Sequence, residues 1–197
     1  MPFRGNFQML LLAIMKRDEP FNSTIKSSAP SKDLNFREAI TTDREAVTKL
    51  MSARNPDKNI ADVMKATDRE IALNLSDPNY RLFVADLNGR VVGLCRYYHS
   101  DGLPKAKILF PAPQGWYCMG ILVDQDFRRQ GIARFLFQNR LKSLREKGAQ
   151  VIYSMVDADN LASIKMHEEF GFEEVERGFG FLNLKFEGGG IFYQMFV

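Results

Sequence analysis

Histidine and cysteine are scarce in this chain, with two of each among 197 residues. They are scattered, so no set of ligands at zinc-type spacing can be drawn from them, and no metal site is expected. His167-Glu168-Glu169 lacks the paired histidines of a zinc helix. Cys95 and Cys118 both fall in apolar, strand-like runs, which reads as reduced core thiols of a cytoplasmic protein. A disulfide between neighbouring strands is the lesser alternative. The formal charge is only +3, too small a surplus to point to nucleic acid. No apolar run approaches the ~20 residues of a membrane span, so no membrane partner is expected. Met9 to Met15 is apolar but short, and the small-x-small cleavage site of a secretory signal is weak or missing. Residues 1–33 read as an appendage: a short helix or extended arm followed by a Ser/Thr/Pro-rich linker, or a non-native extension. Residues 34–197 read as one domain.

What is present is a thick aromatic interior. Hydrophobic residues make up 45% of the chain, with sixteen Phe and six Tyr. Leu34 to Ala39 alternates like an opening strand. Thr42-Asp43 precedes a helix to about Ser52, and a second helix spans Asn59 to Leu75. Tyr80–Leu87 and Arg90–His99 read as strands joined by the hairpin signal Asn88-Gly89. Ser100 to Gly115, with Pro104, Pro111 and Pro113, reads as a loop, with part of a further strand as the alternative. Trp116–Val123 is an apolar strand, followed by a long helix from about Arg129 to Lys147 that Gly148 caps. Gln150–Val156 is a strand, and Asp159-Asn160 opens a helix ending at Phe170-Gly171. Phe172–Phe179 and Ile191–Val197 close as strands. Between them Glu187-Gly188-Gly189-Gly190 reads as a mobile connection. The order implies an α/β (α+β) domain: a mixed, mostly antiparallel six- to seven-stranded sheet flanked by helices on both faces.

Arg128-Arg129-Gln130-Gly131-Ile132-Ala133 joins the strand 116–123 to the long helix. Backbone N–H groups converge at such a corner with no acceptor inside the helix, and the aligned dipoles add positive charge. A pyrophosphate is its natural ligand. Three arginines (Arg128, Arg129, Arg134) crowd a helix start, where the dipole favours acids, so an anion is expected there. Gly131 and Ala133 leave the backbone open to it. Neither a Walker loop nor a dinucleotide fingerprint is present.

The pattern Arg/Gln-x-x-Gly-x-Gly/Ala, filled by Arg128, Gly131 and Ala133, resembles the acetyl-CoA loop of the GNAT N-acetyltransferase superfamily. Asn160 to Phe172 is similar to that superfamily's Asn-x-x-Ala/Ser-x-x-Leu-Tyr-x-x-x-Gly-Phe block. The likeness covers roughly Asn35 to Val197. Two positions depart from it: Gln125 replaces a common proline, and His167 replaces a common tyrosine.

The resemblance implies a splayed parallel pair, 116–123 with 150–156, that admits the pantetheine arm of acetyl-CoA. The backbone of Ile121, Leu122 and Val123 would pair with that arm. The N–H groups of Arg129, Gln130, Gly131, Ile132, Ala133 and Arg134 would hold the diphosphate. Asn160 has two readings, a helix N-cap and a cofactor contact. The implied activity is transfer of an acetyl group, by direct attack, to a primary amine of a small molecule or peptide. No covalent intermediate is implied, and the apolar setting of Cys118 dulls its thiol. A lysine-type amine is neutral only about once in 2,500 molecules at pH 7, so a base matters more than an acid unless the acceptor is a low-pKa amine. The strand 116–123 holds no carboxylate. Tyr98, His99 and Tyr153 with a water chain are the base candidates, with Tyr193 joining them if the last strand lies near. His167 has two readings, proton donor to the departing thiolate and packed helix residue. The different-class alternative is a non-catalytic coenzyme A sensor of the same fold. Oligomeric state is open between monomer and homodimer.

Overall fold

The computed structural model describes residues 33–103 and 108–197. The appendage reading therefore falls, apart from residue 33, outside the described residues. Seven strands form one sheet in the order β1-β2-β3-β4-β5-β7-β6. They are β1 (Leu34–Glu38), β2 (Tyr80–Leu87), β3 (Arg90–His99), β4 (Trp116–Val123), β5 (Val151–Asp157), β6 (Glu173–Phe181) and β7 (Leu184–Phe196). The helices are α1 (Arg44–Arg54), α2 (Ile60–Ser76), α3 (Ile132–Glu146) and α4 (Leu161–Glu169). All pairings are antiparallel except β4 with β5, the two strands bridged by α3.

Strand alternation sorts the core into two layers. Phe83, Ala85, Val92, Cys95 and Tyr97 face α3, meeting Leu136, Phe137, Leu141 and Leu144. Their neighbours Leu82, Val84, Val91 and Leu94 face α1 and α2, meeting Val47, Leu50, Val63 and Ile71. A third, aromatic cluster of Tyr98, Tyr117, Phe181, Leu182 and Phe192 covers the sheet past the end of α1 and α2. Both cysteines are free and buried. Burial pushes the Cys95 thiol up to about 12 and raises that of Cys118.

Two local readings change. The long helix starts at Ile132 rather than Arg129, because Arg129 (φ 63°) and Gly131 (φ 78°) are left-handed and cannot belong to it. Glu187 to Gly190 is not a connection: it runs inside β7, and the turn is Leu182-Asn183. Gly190 pairs with Asp157 on one side and Gly178 on the other. Its missing side chain gives room to the Phe186 ring, which a Cβ there would strike. The glycines are thus strand residues chosen for close approach and a bulge, not for a turn.

Candidate active site

β4 is where the sheet opens. It pairs with β5 only through Trp116↔Ile152, Tyr117↔Tyr153 and Cys118↔Ser154, although both strands continue. From Met119 to Val123 the backbone of β4 has no strand partner on that side among the described residues, so the two strands form a V with its apex at Cys118 and Ser154. β4 also carries a bulge: Cys95 pairs with Ile121 and Arg96 with Met119, leaving Gly120 unopposed. Ile121, Leu122 and Val123 thus edge the opening.

The corner after β4 is held from beneath. Asp124, buried, accepts from the Asp126 N–H at 3.3 Å and pairs with Lys49 at 3.1 Å and Arg90 at 3.4 Å. Burial works to raise its carboxyl, but these donors outweigh it and hold the group below its usual range. Arg128 Nε donates to the Val123 carbonyl at 3.4 Å, and Gln130 Nε2 to the Asp126 carbonyl at 3.3 Å. Those side chains brace the loop and leave its backbone outward. Among the described residues no backbone acceptor meets the N–H groups of Arg129 through Arg134. Gly131, as N-cap, gives no side-chain cap, and the first turn of α3 has no acid. The corner is therefore an uncapped donor cluster with a dipole behind it. The Arg134 side chain turns away to Glu169 (2.6 Å), so its part in this corner is its N–H. Asn160 caps α4, its Oδ1 accepting from the Ser163 N–H at 3.1 Å.

The base and acid candidates divide between the two faces. Tyr98 and Tyr153 lie together on the α1/α2 side, either side of Tyr117 at ring distances of 5.5 and 5.2 Å. The Tyr98 hydroxyl is buried without a partner among the described residues, and burial raises the pKa of both tyrosines. His99 is apart from them, edge-on to Trp116 at 4.8 Å toward α3. Tyr193 also faces α3, stacked on His167 at 5.4 Å. His167 is 6% exposed. Its Nδ1 donates to the Ser163 carbonyl at 2.7 Å, and its Nε2 lies 2.8 Å from Ser154 Oγ at the apex. Burial drives its pKa down to about 4, against the help of the Ser163 carbonyl. The imidazole is neutral at pH 7, with Nε2 accepting from the serine hydroxyl.

Two further groups escaped the sequence reading. Arg140 of α3 is 1% exposed, and its Nη1 donates to the Met119 carbonyl at 2.8 Å, plugging the bulge from the α3 side. On the opposite side Arg96, Glu70, Tyr80 and Arg54 gather at Gly120. The signal for Arg96 and Arg140 was a cation set inside an otherwise apolar face; Arg54 and Glu70 gave none. Among the described residues no helix is long and apolar enough to cross a membrane, and no group of side chains could hold a metal ion.

Comparison with known proteins agrees with this geometry. The N-alpha-acetyltransferase of Sulfolobus acidocaldarius is 29% identical over 104 residues, 52% of this chain and 62% of that protein. The ribosomal protein bS18-alanine N-acetyltransferase of Escherichia coli is 37% identical over 54 residues, 27% of this chain and 36% of that one. The chain thus spans less than two thirds of the length of these curated relatives. The crystal structure of ribosomal-protein-alanine N-acetyltransferase from Brucella melitensis shares the fold, with TM-score 0.62 and 21% identity over 83% of this chain and 99% of that chain. A family model for the acetyltransferase (GNAT) family matches residues 45–172, a stretch holding the V, the donor corner and the Ser154–His167 pair. By that match and by its sheet, this chain belongs to the GNAT acetyltransferase family.

Proposed function

We propose that the protein is an acetyl-CoA-dependent N-acetyltransferase and that its acceptor is the α-amine of a peptide or small molecule. The observation that carries this is the V of β4 and β5 beside an uncapped donor corner. The corner N–H groups from Arg129 to Arg134 bind the diphosphate. The free edge from Ile121 to Val123 takes the pantetheine amides as an added strand would. The acyl carbonyl then lies near the bulge, where a β4 N–H polarises it as the amine attacks and oxygen gains charge. Coenzyme A leaves as a thiolate of ordinary acidity, near pKa 8.5. That step needs little help.

An α-amine titrates near 7.7–8.0, so freeing it of its proton at pH 7 costs roughly 1 kcal/mol, against about 4.6 for a lysine. A β4 without a carboxylate suits the former. The α-amine reading also draws on the relatives, two of them named for N-terminal or ribosomal-protein alanine acetylation. Tyr98 and Tyr153, high in pKa, pass a proton through water rather than accept it outright. His167 acts by position: with Nε2 already accepting from Ser154, it fixes the apex rather than donating to sulfur. Asn160, as cap, sets the start of α4 beside the arm.

The test is free-thiol release from acetyl-CoA with short peptides bearing free N-termini, with acetyl-lysine precursors, polyamines and aminoglycosides alongside. Turnover with peptide or amino-acid α-amines is expected. Calorimetric binding of acetyl-CoA without turnover on any amine would leave only the sensor of the same fold.

A further inference from the structure

The charged group at the bulge is unbalanced. Arg96 Nη1 lies 2.5 Å from Glu70 Oε1, and the Tyr80 hydroxyl holds Oε2 at 3.1 Å. That engages the one carboxylate of the group. The Arg96 side chain is 11% exposed, and its Nε is buried without an acceptor among the described residues. Arg54, the last residue of α1, has no hydrogen-bond or ion-pair partner among the described residues, yet its guanidinium reaches Gly120. A methyl group at residue 120 would collide with Arg54 Nη1 and stand 3.4 Å from Arg96 Nη2. Two guanidiniums therefore meet over one glycine. Arg54 is exposed as a residue, but its guanidinium end is crowded against the sheet at Gly120, and that local desolvation together with the charge of Arg96 lowers its pKa, with Glu70 opposing. A cation at a helix C-terminus is ordinarily content in solvent, where the dipole favours it. That explanation does not account for its lying against a second cation, which costs energy until an anion intervenes.

The location gives the anion its source. Gly120 is two residues past the last β4–β5 pair, on the face opposite α3, beside the tyrosines Tyr98 and Tyr117. Any amine that attacks an acyl group presented in the V must approach here. A group carried a few bonds from that amine falls on Arg54 and Arg96. We propose that the acceptor carries a carboxylate beside its amine, bound by Arg54 with Arg96 behind it. The inference rests on the acetyltransferase reading above and narrows its substrate. Two sources share this chemistry: an acidic side chain at the first or second residue of a peptide, and the α-carboxylate of a free amino acid. Arginine's planar fork suits either.

Matched acceptors separate them: peptides beginning Asp against Asn, peptides with Glu against Gln at position two, and free amino acids against their amides. Thiol release gives kcat/KM for each. One pair is expected to favour its carboxylate member by about tenfold or more, mainly through KM. Arg54→Met is expected to shrink that ratio toward one, and Arg54→Lys to keep part of it. Circular dichroism confirms that both variants fold. A ratio near one in every wild-type pair overturns the proposal while leaving the transferase reading intact. So does a ratio that Arg54→Met does not change. No thiol release with any amine removes the transferase reading and this one with it.

Discussion

Ser154 Oγ and His167 Nε2 stand 2.8 Å apart at the apex of the V, and the Ser163 carbonyl, 2.7 Å from Nδ1, decides which of them donates. The carbonyl can only accept, so Nδ1 keeps the proton and Nε2 takes the serine's. Phe137, Phe172 and Tyr193 surround the ring at 5.0, 5.1 and 5.4 Å. The pair is a satisfied polar contact in an aromatic core. It joins β5 to α4 at the place where β5 leaves β4.

A stability change with pH follows. In the unfolded chain the His167 imidazole takes a proton near pH 6.5; in the folded chain burial holds that off to about 4. Above pH 6.5 both states are neutral there and stability is full. As pH falls from 6.5 to 4, the unfolded state binds a proton that the native state refuses, and up to about 3 kcal/mol is lost. Denaturant unfolding at pH 7 and 4.5 is expected to show a smaller acid loss in His167→Gln than in the wild type. Equal losses would mean that the ring is not buried neutral.

At the corner, Gly131→Glu is expected to weaken acetyl-CoA binding by roughly a hundredfold or more, because the new carboxylate takes the N–H groups proposed to hold the diphosphate. The residue is left-handed at φ 78°. A non-glycine there costs about 1 kcal/mol of strain. The fold should therefore survive, with melting lower by a few degrees. Isothermal calorimetry and a thermal scan read the two effects separately, and an unchanged affinity would detach the corner from the ligand.

Much of this was legible in residues near one another in the chain. The order of strands and helices follows from local periodicity, and the corner from one hexapeptide. Glycine in Gly188-Gly189-Gly190 misled because its usual meaning is a turn, whereas the pairing of Gly190 with both Gly178 and Asp157 is a contact across the sheet. The turn itself, at Leu182, has a buried apolar residue whose carbonyl accepts from Leu109 and Phe110. Asn183 is its one turn-forming residue, and the left-handed Leu182 (φ 53°) beside it gives no signal of its own. Arg54, Glu70 and Arg96 come from two helices and a strand, and their meeting at Gly120 depends on the bulge in β4, which no local pattern announces.

Tyr98 offers a test of the proton path. Its hydroxyl is buried without a partner among the described residues, so Tyr98→Phe removes a desolvated group and is expected to leave stability unchanged or raise it by about 1 kcal/mol. If water reaches that hydroxyl only when an acceptor is bound, kcat falls while the folding free energy does not. Denaturant unfolding and steady-state rates on the same preparation distinguish the two, and an unchanged kcat would strike Tyr98 from the path.

Arg140 is the most consequential side chain behind the site. It falls four residues after Leu136 and four before Leu144, on the buried stripe of α3. The guanidinium lies 4.7 Å over the Phe137 ring, gives Nη1 to the Met119 and Arg96 carbonyls, and leaves Nε without an acceptor. A hydrophobic residue of the same length can replace a buried cation at little cost in itself. Arg140→Met, however, strips two part-buried carbonyls of this donor, at about 1 kcal/mol each, the low end for an unmet polar group. We expect a net loss of roughly 2 kcal/mol in denaturant unfolding. Because the Met119 carbonyl belongs to the bulge that sets the mouth of the V, the variant should also bind acetyl-CoA more weakly at a temperature where it is fully folded. A loss of stability with unaltered binding would show that Arg140 supports the core alone, and that the bulge keeps its shape without it.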